Sequence, residues 1–187
     1  MMKRIGAVAA VAVALAAVPA EAQFGGRLSV EPFVGYGFYG GIPDSNAELE
    51  AAIAYGGRAA YALGPQWAVF GTYQRSSPEV SGTLGNVTVT GGEVDVDHWS
   101  AGVEFSYVPR GGAEGMLPIL LEAGLGQARY DGGSNDLAVN LGLASALQLA
   151  PNVALRYGVN DYISNFGEDD RGIVNQIFVR VGAELSL

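Results

Sequence analysis

The stretch QIFVRVGAELSL, residues 176–187, alternates large apolar side chains with small or charged ones. Successive side chains of a β-strand point to opposite faces, so every second residue shares a face. The apolar face carries Ile177, Val179, Val181, Ala183, Leu185 and Leu187. The other face carries Phe178, Arg180, Gly182, Glu184 and Ser186. A membrane barrel strand needs an apolar face toward lipid and accepts small or charged residues inside, so this pattern favours such a strand.

The same alternation recurs upstream in segments of about ten residues, the usual length of a membrane-spanning strand. With the last stretch, eight strands are predicted, at residues 28–39, 51–63, 67–75, 98–108, 117–128, 137–149, 153–163 and 173–187. Connections after the second, fourth and sixth strands are short, and those after the first, third and seventh are longer. Membrane barrels combine short periplasmic turns with longer outer loops. The sequence therefore predicts an all-β fold, an eight-stranded antiparallel up-and-down transmembrane β-barrel.

Aromatic residues on the apolar face fall near the predicted strand ends. Toward the long loops lie Tyr36, Phe38, Tyr55, Tyr73 and Trp99. Toward the short turns lie Tyr61, Trp67, Tyr107 and Tyr157. Two aromatic girdles are typical of membrane barrels. The alternative is a secreted sandwich or lipocalin-like barrel with the apolar face inward. The other face carries small Gly and Ala residues, which suit a narrow lumen and leave the Leu, Val and Tyr side chains on the outside. Such an apolar outer surface favours contact with lipid over contact with water.

The first residues and the composition indicate an exported protein with one domain. Residues 1–22 resemble a cleavable signal peptide, with a basic start at Lys3 and Arg4, an apolar run, and the small-x-small sequence AEA at 20–22. The barrel domain is expected at residues 23–187. Cysteine is absent, and no other apolar run has the 18 residues of a helical membrane span. Ten Lys and Arg against 19 Asp and Glu, a net charge of -9, argue against nucleic-acid binding.

Charged residues also occur on the face predicted to line the lumen. We call this set the lumenal charge layer: Glu31, Arg58, Glu104, Glu122, Arg156, Arg180 and Glu184. An eight-stranded barrel has an interior just wide enough for side chains to fill, so unpaired charges there would be costly. We therefore expect ion pairs and bridging water. The layer has two interpretations, a gate or ion path through a narrow pore, and a polar plug that satisfies the barrel interior.

Residues 176–187, the stretch ALRYGVNDYIS at 154–164, the strand count and the Glu/Arg pairs support a family statement. The chain resembles the small eight-stranded outer-membrane β-barrel proteins, of the OmpA transmembrane-domain and OmpX/Ail type. The resemblance covers residues 27–187. It implies a location in a Gram-negative outer membrane with both termini in the periplasm.

The only histidine lies in a His-x-Ser pair, His98 and Ser100. The pair resembles that of the outer-membrane lipid A deacylases, in which a Ser-His-acid arrangement would make Ser100 the nucleophile and His98 its base. That family's Asn after the Ser is Ala101 here, and no Glu follows at the expected spacing. The strand pattern also points the pair into the lumen, away from lipid. The other interpretation is an ordinary polar pair near the rim of the barrel.

The long loops, centred on residues 40–50, 76–97 and 164–172, are acidic. Their carboxylates are candidates for contact with a cation or a partner: Glu93, Asp95, Asp97, Glu168, Asp169 and Asp170. Oxygen-rich loops can bind Ca²⁺, although alternate carboxylates on a strand lie about 7 Å apart and need help from another loop. We assign no metal site and expect no cofactor.

The leading functional expectation is a non-enzymatic outer-membrane protein with a structural or surface-interaction role. One alternative is a narrow pore gated by the lumenal charge layer, and a second is a lipid A deacylase-like hydrolase. The expected partners are outer-membrane lipid, lipopolysaccharide and the outer-membrane assembly machinery. We expect a monomer that binds no nucleic acid.

Overall fold

A computed structural model describes residues 28–41, 47–84, 87–108, 117–130, 135–165 and 173–187. The predicted signal peptide at 1–22 and the loop carboxylates Glu168, Asp169 and Asp170 lie outside these ranges. The described ranges contain no helix that could span a bilayer. The strands are β1 (Leu28–Tyr39), β2 (Ala47–Leu49), β3 (Ala52–Ala62), β4 (Trp67–Ser76), β5 (Glu79–Leu84), β6 (Val87–Glu93), β7 (Val96–Tyr107), β8 (Ile119–Tyr130), β9 (Asn135–Ala150), β10 (Val153–Asn165) and β11 (Ile173–Ser186).

Eight of these strands form a closed antiparallel barrel in the order β1-β11-β10-β9-β8-β7-β4-β3, with β3 pairing back to β1. They correspond to the eight predicted strands, and no end differs from its prediction by more than two residues. The eight-stranded antiparallel barrel is therefore confirmed. Each barrel strand pairs with the barrel strands that precede and follow it in the chain, and β1 closes on β11. The strands β2, β5 and β6 lie outside the barrel.

The large apolar side chains lie on the outside of the barrel. Leu125 and Leu137 are 62% and 68% exposed, whereas the alternate residues Ala128 and Ala138 are buried. All nine aromatic residues predicted for the girdles are exposed. The inward-facing alternative, a soluble sandwich or lipocalin-like barrel, does not fit this burial, because its apolar face would be covered.

Inward glycines let the strands of this narrow barrel approach one another. A Cβ built on Gly126 would lie 1.9 Å from the carbonyl oxygen of Trp99 on the neighbouring strand, far inside van der Waals contact. Any larger residue there would force β7 and β8 apart. The alternation of glycine with apolar residues in the sequence is thus a packing requirement of the lumen.

The structure adds a feature that the sequence analysis treated as loop. Parts of the predicted loops 40–50 and 76–97 form a three-stranded sheet, β2-β5-β6, which we call the loop sheet. Ala47–Leu49 pairs with β5, and β5 and β6 pair as a hairpin in which Leu84 faces Val87. The Val-Thr alternation at the start of β6 is a strand signal, since β-branched residues are enriched in strands.

The loop sheet packs on the long-loop end of the barrel. Leu49 of β2 is buried in a cluster with Val96, Ala128 and Tyr130, which lie on the lumen side of β7 and β8. Tyr39, Val80 and Val94 pack against the same cluster. We call this cluster the loop cap. Its apolar side chains cover the lumen side of β7 and β8 at this end.

Candidate functional site: the lumenal charge layer

Arg156 of β10 lies at the centre of the lumenal charge layer. Its Nη2 is 2.6 Å from Oε1 of Glu122 and also donates to Glu104. Its Nε lies 3.3 Å from Oε2 of Glu31, and its Nη1 lies 3.5 Å from Oε2 of Glu184. One guanidinium therefore joins carboxylates from β1, β7, β8 and β11, and Arg156 is fully buried. The forked, planar guanidinium suits this multiple pairing better than an ammonium group would.

Glu122 of β8 is the matching centre of negative charge. Besides Arg156, it accepts from Nη2 of Arg180 at 2.9 and 3.0 Å and lies 3.4 Å from Nε of Arg58. Nδ2 of Asn160 also donates to Oε2 of Glu122 at 2.9 Å. A buried carboxylate with several charge-assisted partners is well compensated for the water it has lost.

The other two arginines pair across the lumen and stack on inward aromatic rings. Nη2 of Arg58 donates to Oε2 of Glu104 at 2.5 Å. The guanidinium carbon of Arg58 lies 5.0 Å from the ring centre of Phe70, and that of Arg180 lies 5.1 Å from the ring centre of Phe33. Cations over aromatic faces are attracted by the ring quadrupole.

All seven residues that the sequence analysis assigned to the layer are brought together by the structure. Six are buried, and Glu184, nearest the short-turn end, is half-buried. Glu31 differs from the rest, because its two carboxylate oxygens accept no hydrogen bond from the part of the chain that the structure describes. The layer is thus one connected ionic network across the lumen. Glu31 joins this network through an ion pair with Arg156 and not through a hydrogen bond.

A chain of amides, which the sequence analysis did not single out, extends the network toward the long-loop end. Nδ2 of Asn160 also donates to Oδ1 of Asn140 at 3.0 Å. Nδ2 of Asn140 donates in turn to Oγ of Ser100 at 3.1 Å. The strand alternation predicts that the side chains of Asn140 and Asn160 point inward. Their connection to Glu122 depends on the register between the strands, which the alternation does not give.

His98 lies one level further toward the long-loop end, in an aromatic layer. Its ring centre is 4.7 Å from that of Tyr162 and 5.3 Å from that of Phe178. His98 is fully buried and Ser100 nearly so. The prediction that this pair points into the lumen is confirmed. Ser100 accepts a hydrogen bond from Asn140, and neither ring nitrogen of His98 is hydrogen-bonded to Ser100. The contact through which His98 would take the Ser100 proton in the hydrolase alternative is therefore missing between these two described residues.

The acidic residues described near the long loops occupy two environments. Asp95 pairs with Arg75 and accepts from Ser77, and Asp97 accepts from Tyr73 at 2.7 Å and lies 3.8 Å from Arg75. Their charge is partly neutralised by that arginine. Among the residues that the structure describes, no three metal-ligating side chains are grouped for a metal ion.

Glu93 ends β6 and is exposed, directly opposite Glu79 of β5. Like charges directly opposite on neighbouring strands repel each other. Glu93 and Glu79 therefore give the loop sheet a negatively charged side.

Solved structures that share the fold include two outer-membrane proteins. The crystal structure of the outer membrane protein OprG from Pseudomonas aeruginosa matches with a TM-score of 0.57 and 12% identity, over 87% of this chain and 95% of that chain. The crystal structure of Neisserial surface protein A (NspA) matches with a TM-score of 0.52 and 13% identity, over 86% and 96%. No protein-family model matches the sequence, and no curated protein matches it. At these identities the likeness concerns the fold, and the chain has the eight-stranded β-barrel fold of these outer-membrane proteins.

Proposed function

We propose that the protein is a non-enzymatic, non-conducting β-barrel of a Gram-negative outer membrane that presents its loop sheet at the cell surface. The observation that carries the proposal is the lumenal charge layer, in which Arg156 alone contacts four carboxylates from four strands. Opening an ion path through this level would break several buried pairs at once. Breaking a buried pair by removing one partner typically costs about 3–5 kcal/mol.

The loop cap is a second obstacle to the passage of ions along the barrel axis. Leu49, Val96 and Ala128 are buried together at the long-loop end, and apolar constrictions resist the passage of water and ions. The exposed apolar outer surface with its two aromatic girdles supports membrane insertion. In this arrangement both termini are periplasmic and the barrel is a monomer in contact with lipid and lipopolysaccharide, inserted by the outer-membrane assembly machinery.

The loop sheet is the part available for surface interaction. It joins segments of two long connections, the one after β1 and the one after β4. Glu79 and Glu93 give it negative charge. We propose that it contacts partners outside the cell, together with the acidic positions Asp95, Asp97, Glu168, Asp169 and Asp170. Loops on a rigid scaffold commonly carry function.

The test is single-channel conductance of the refolded full-length protein in a planar lipid bilayer. The expected result is no reproducible opening from a barrel that is verifiably folded by its heat-dependent gel mobility. Arg58→Ala is the comparison variant, because it removes the Arg58–Glu104 pair. Discrete openings that change in this variant would replace the proposal with the alternative, a narrow pore gated by the lumenal charge layer.

A further inference from the structure

The pairing between β1 and β11, which closes the barrel, is interrupted at one point. It is present up to Val30 and again from Phe33, so Glu31 and Pro32 have no partner on β11. The pairing of β1 with β3 continues through both residues. Proline lacks a backbone N–H and is normally confined to edge strands. The backbone N–H that another residue would supply at position 32 is therefore missing from the pairing of β1 with β11.

Within the described strand ranges, no other contact between barrel strands has such a gap. Six of the other seven are continuous along their paired residues. The remaining one, between β9 and β10, has only a register shift at Val153, beside the short turn. Inside a bilayer no water replaces a lost ladder bond, so the interruption weakens β1–β11 more than it would in a soluble sheet.

Inside the barrel, like charges face each other at the same point. The register that joins Val30 to Leu185 sets Glu31 opposite Glu184. Like charges directly opposite on neighbouring strands destabilise the pair. Arg156 contacts both carboxylates, at 3.3 and 3.5 Å, and so joins β1 to β11 where the backbone does not.

Outside the barrel, a shallow open groove of about 360 Å³ lies over the same point. Its lining comes from β1, β10 and β11, and the groove also reaches two residues of the lumen face, Phe33 and Gly182. The outward residues are apolar: Pro32, Val34, Leu155, Val181 and Ala183. The groove therefore lies on the outer face of the barrel at the point where the backbone ladder between β1 and β11 is broken.

We propose that the barrel opens sideways at this β1–β11 seam, and that Arg156 latches it from inside. When Arg156 releases Glu31 or Glu184, the two strands separate around Pro32, and the lumen communicates with the bilayer through the groove. This opening is independent of axial conduction, because the long-loop end stays covered by the loop cap. A barrel that is silent in a planar bilayer can still open in this way.

The chain contains no cysteine, so single cysteines can report access from the bilayer. Phe33→Cys places a thiol on the lumen side at the seam, and Phe70→Cys is its matched control. Both phenylalanines are buried and both lie under a layer arginine, but Phe70 belongs to β4, whose two ladders are continuous. The refolded full-length variants in lipid vesicles are treated with a maleimide attached to a lipid tail.

The expected result is that position 33 reacts at least tenfold faster than position 70. Adding Pro32→Val, which restores the missing donor, should bring the two rates together. Equal rates at the two positions, or no effect of Pro32→Val, would overturn the proposal. If a cysteine variant does not fold, amide hydrogen exchange on the unmodified protein decides: exchange faster at residues 181–185 than at 99–103 supports the seam, and equal exchange refutes it.

Discussion

A Cβ atom built on Gly142 would lie 2.8 Å from Oε2 of Glu122, so the absence of a side chain at position 142 leaves the space that this carboxylate occupies. The two residues face each other across β8 and β9. The same Cβ would lie 2.5 Å from Nδ2 of Asn160, the amide that donates to Glu122. Gly142 is therefore part of the lumenal charge layer although it carries no charge.

Gly142→Ala should destabilise the barrel, because either Glu122 or Asn160 must move from its partners. Overpacking of a well-packed interior typically costs about 1–3 kcal/mol. The measurement is urea unfolding of the refolded protein in lipid vesicles, followed by tryptophan fluorescence. The control is Gly71→Ala, whose Cβ would meet only the carbonyl oxygen of Ser100, at 4.0 Å. A loss no larger than that of the control would contradict the assigned packing.

Glu122→Gln and Glu184→Gln should differ strongly in their effect. Glu122 is buried and contacts three guanidiniums, whereas Glu184 is 20% exposed and lies 3.5 Å from one. Removing the charge of Glu122 leaves buried arginines uncompensated, and we expect a loss of about 3 kcal/mol or more. For Glu184, which is partly exposed and has one arginine partner, we expect a loss of about 1 kcal/mol or less. Denaturant midpoints of the two variants measure the difference. Equal losses would mean that the layer's stability is not centred on Glu122.

The strands and the members of the layer could be predicted from the sequence because both follow from alternation alone. A period of two sets which face Arg156 or Glu122 occupies, whatever the register. Which carboxylate each arginine contacts depends on the stagger between strands, and sequence does not fix that stagger. The pairing of Arg58 with Glu104 joins β3 to β7, strands separated in the barrel by β4, and could not be predicted.

The loop sheet was missed for a different reason. Its strands β2 and β5 come from two separate predicted loops, and pairing between distant segments leaves no local signal. The available signal in the sequence was Leu49, a large apolar residue between Glu48 and Glu50. In the structure it is buried against Val96 and Tyr130. The Glu31–Pro32 gap could be suspected from a proline inside a predicted strand, but the sequence does not say which neighbouring strand loses the bond.

Ser100→Ala should leave lipid A acylation unchanged, because Ser100 is buried in the lumen and bonded to Asn140. Its cost should be structural, about 1 kcal/mol, since Asn140 loses a hydrogen-bond acceptor. Mass spectra of lipid A from cells that express the native protein or the variant are the measurement, with cells that lack the protein as the control. Loss of acyl chains that requires Ser100 would restore the hydrolase alternative.

Leu49→Ser should open the loop cap without unfolding the barrel. Leu49 is buried against Val96 and Ala128 at the long-loop end, while Glu48 beside it is exposed. Truncating a buried leucine removes its packing on the barrel, and because β2 has only three residues, the loop sheet should detach locally. The reporter is Val96→Cys, fully buried in the native protein, treated with a water-soluble maleimide. Labelling should rise at least tenfold with Leu49→Ser and stay unchanged with Glu48→Ser. Equal labelling in both would mean that the loop sheet does not keep water from this part of the lumen, and the axial closure would then rest on the lumenal charge layer alone.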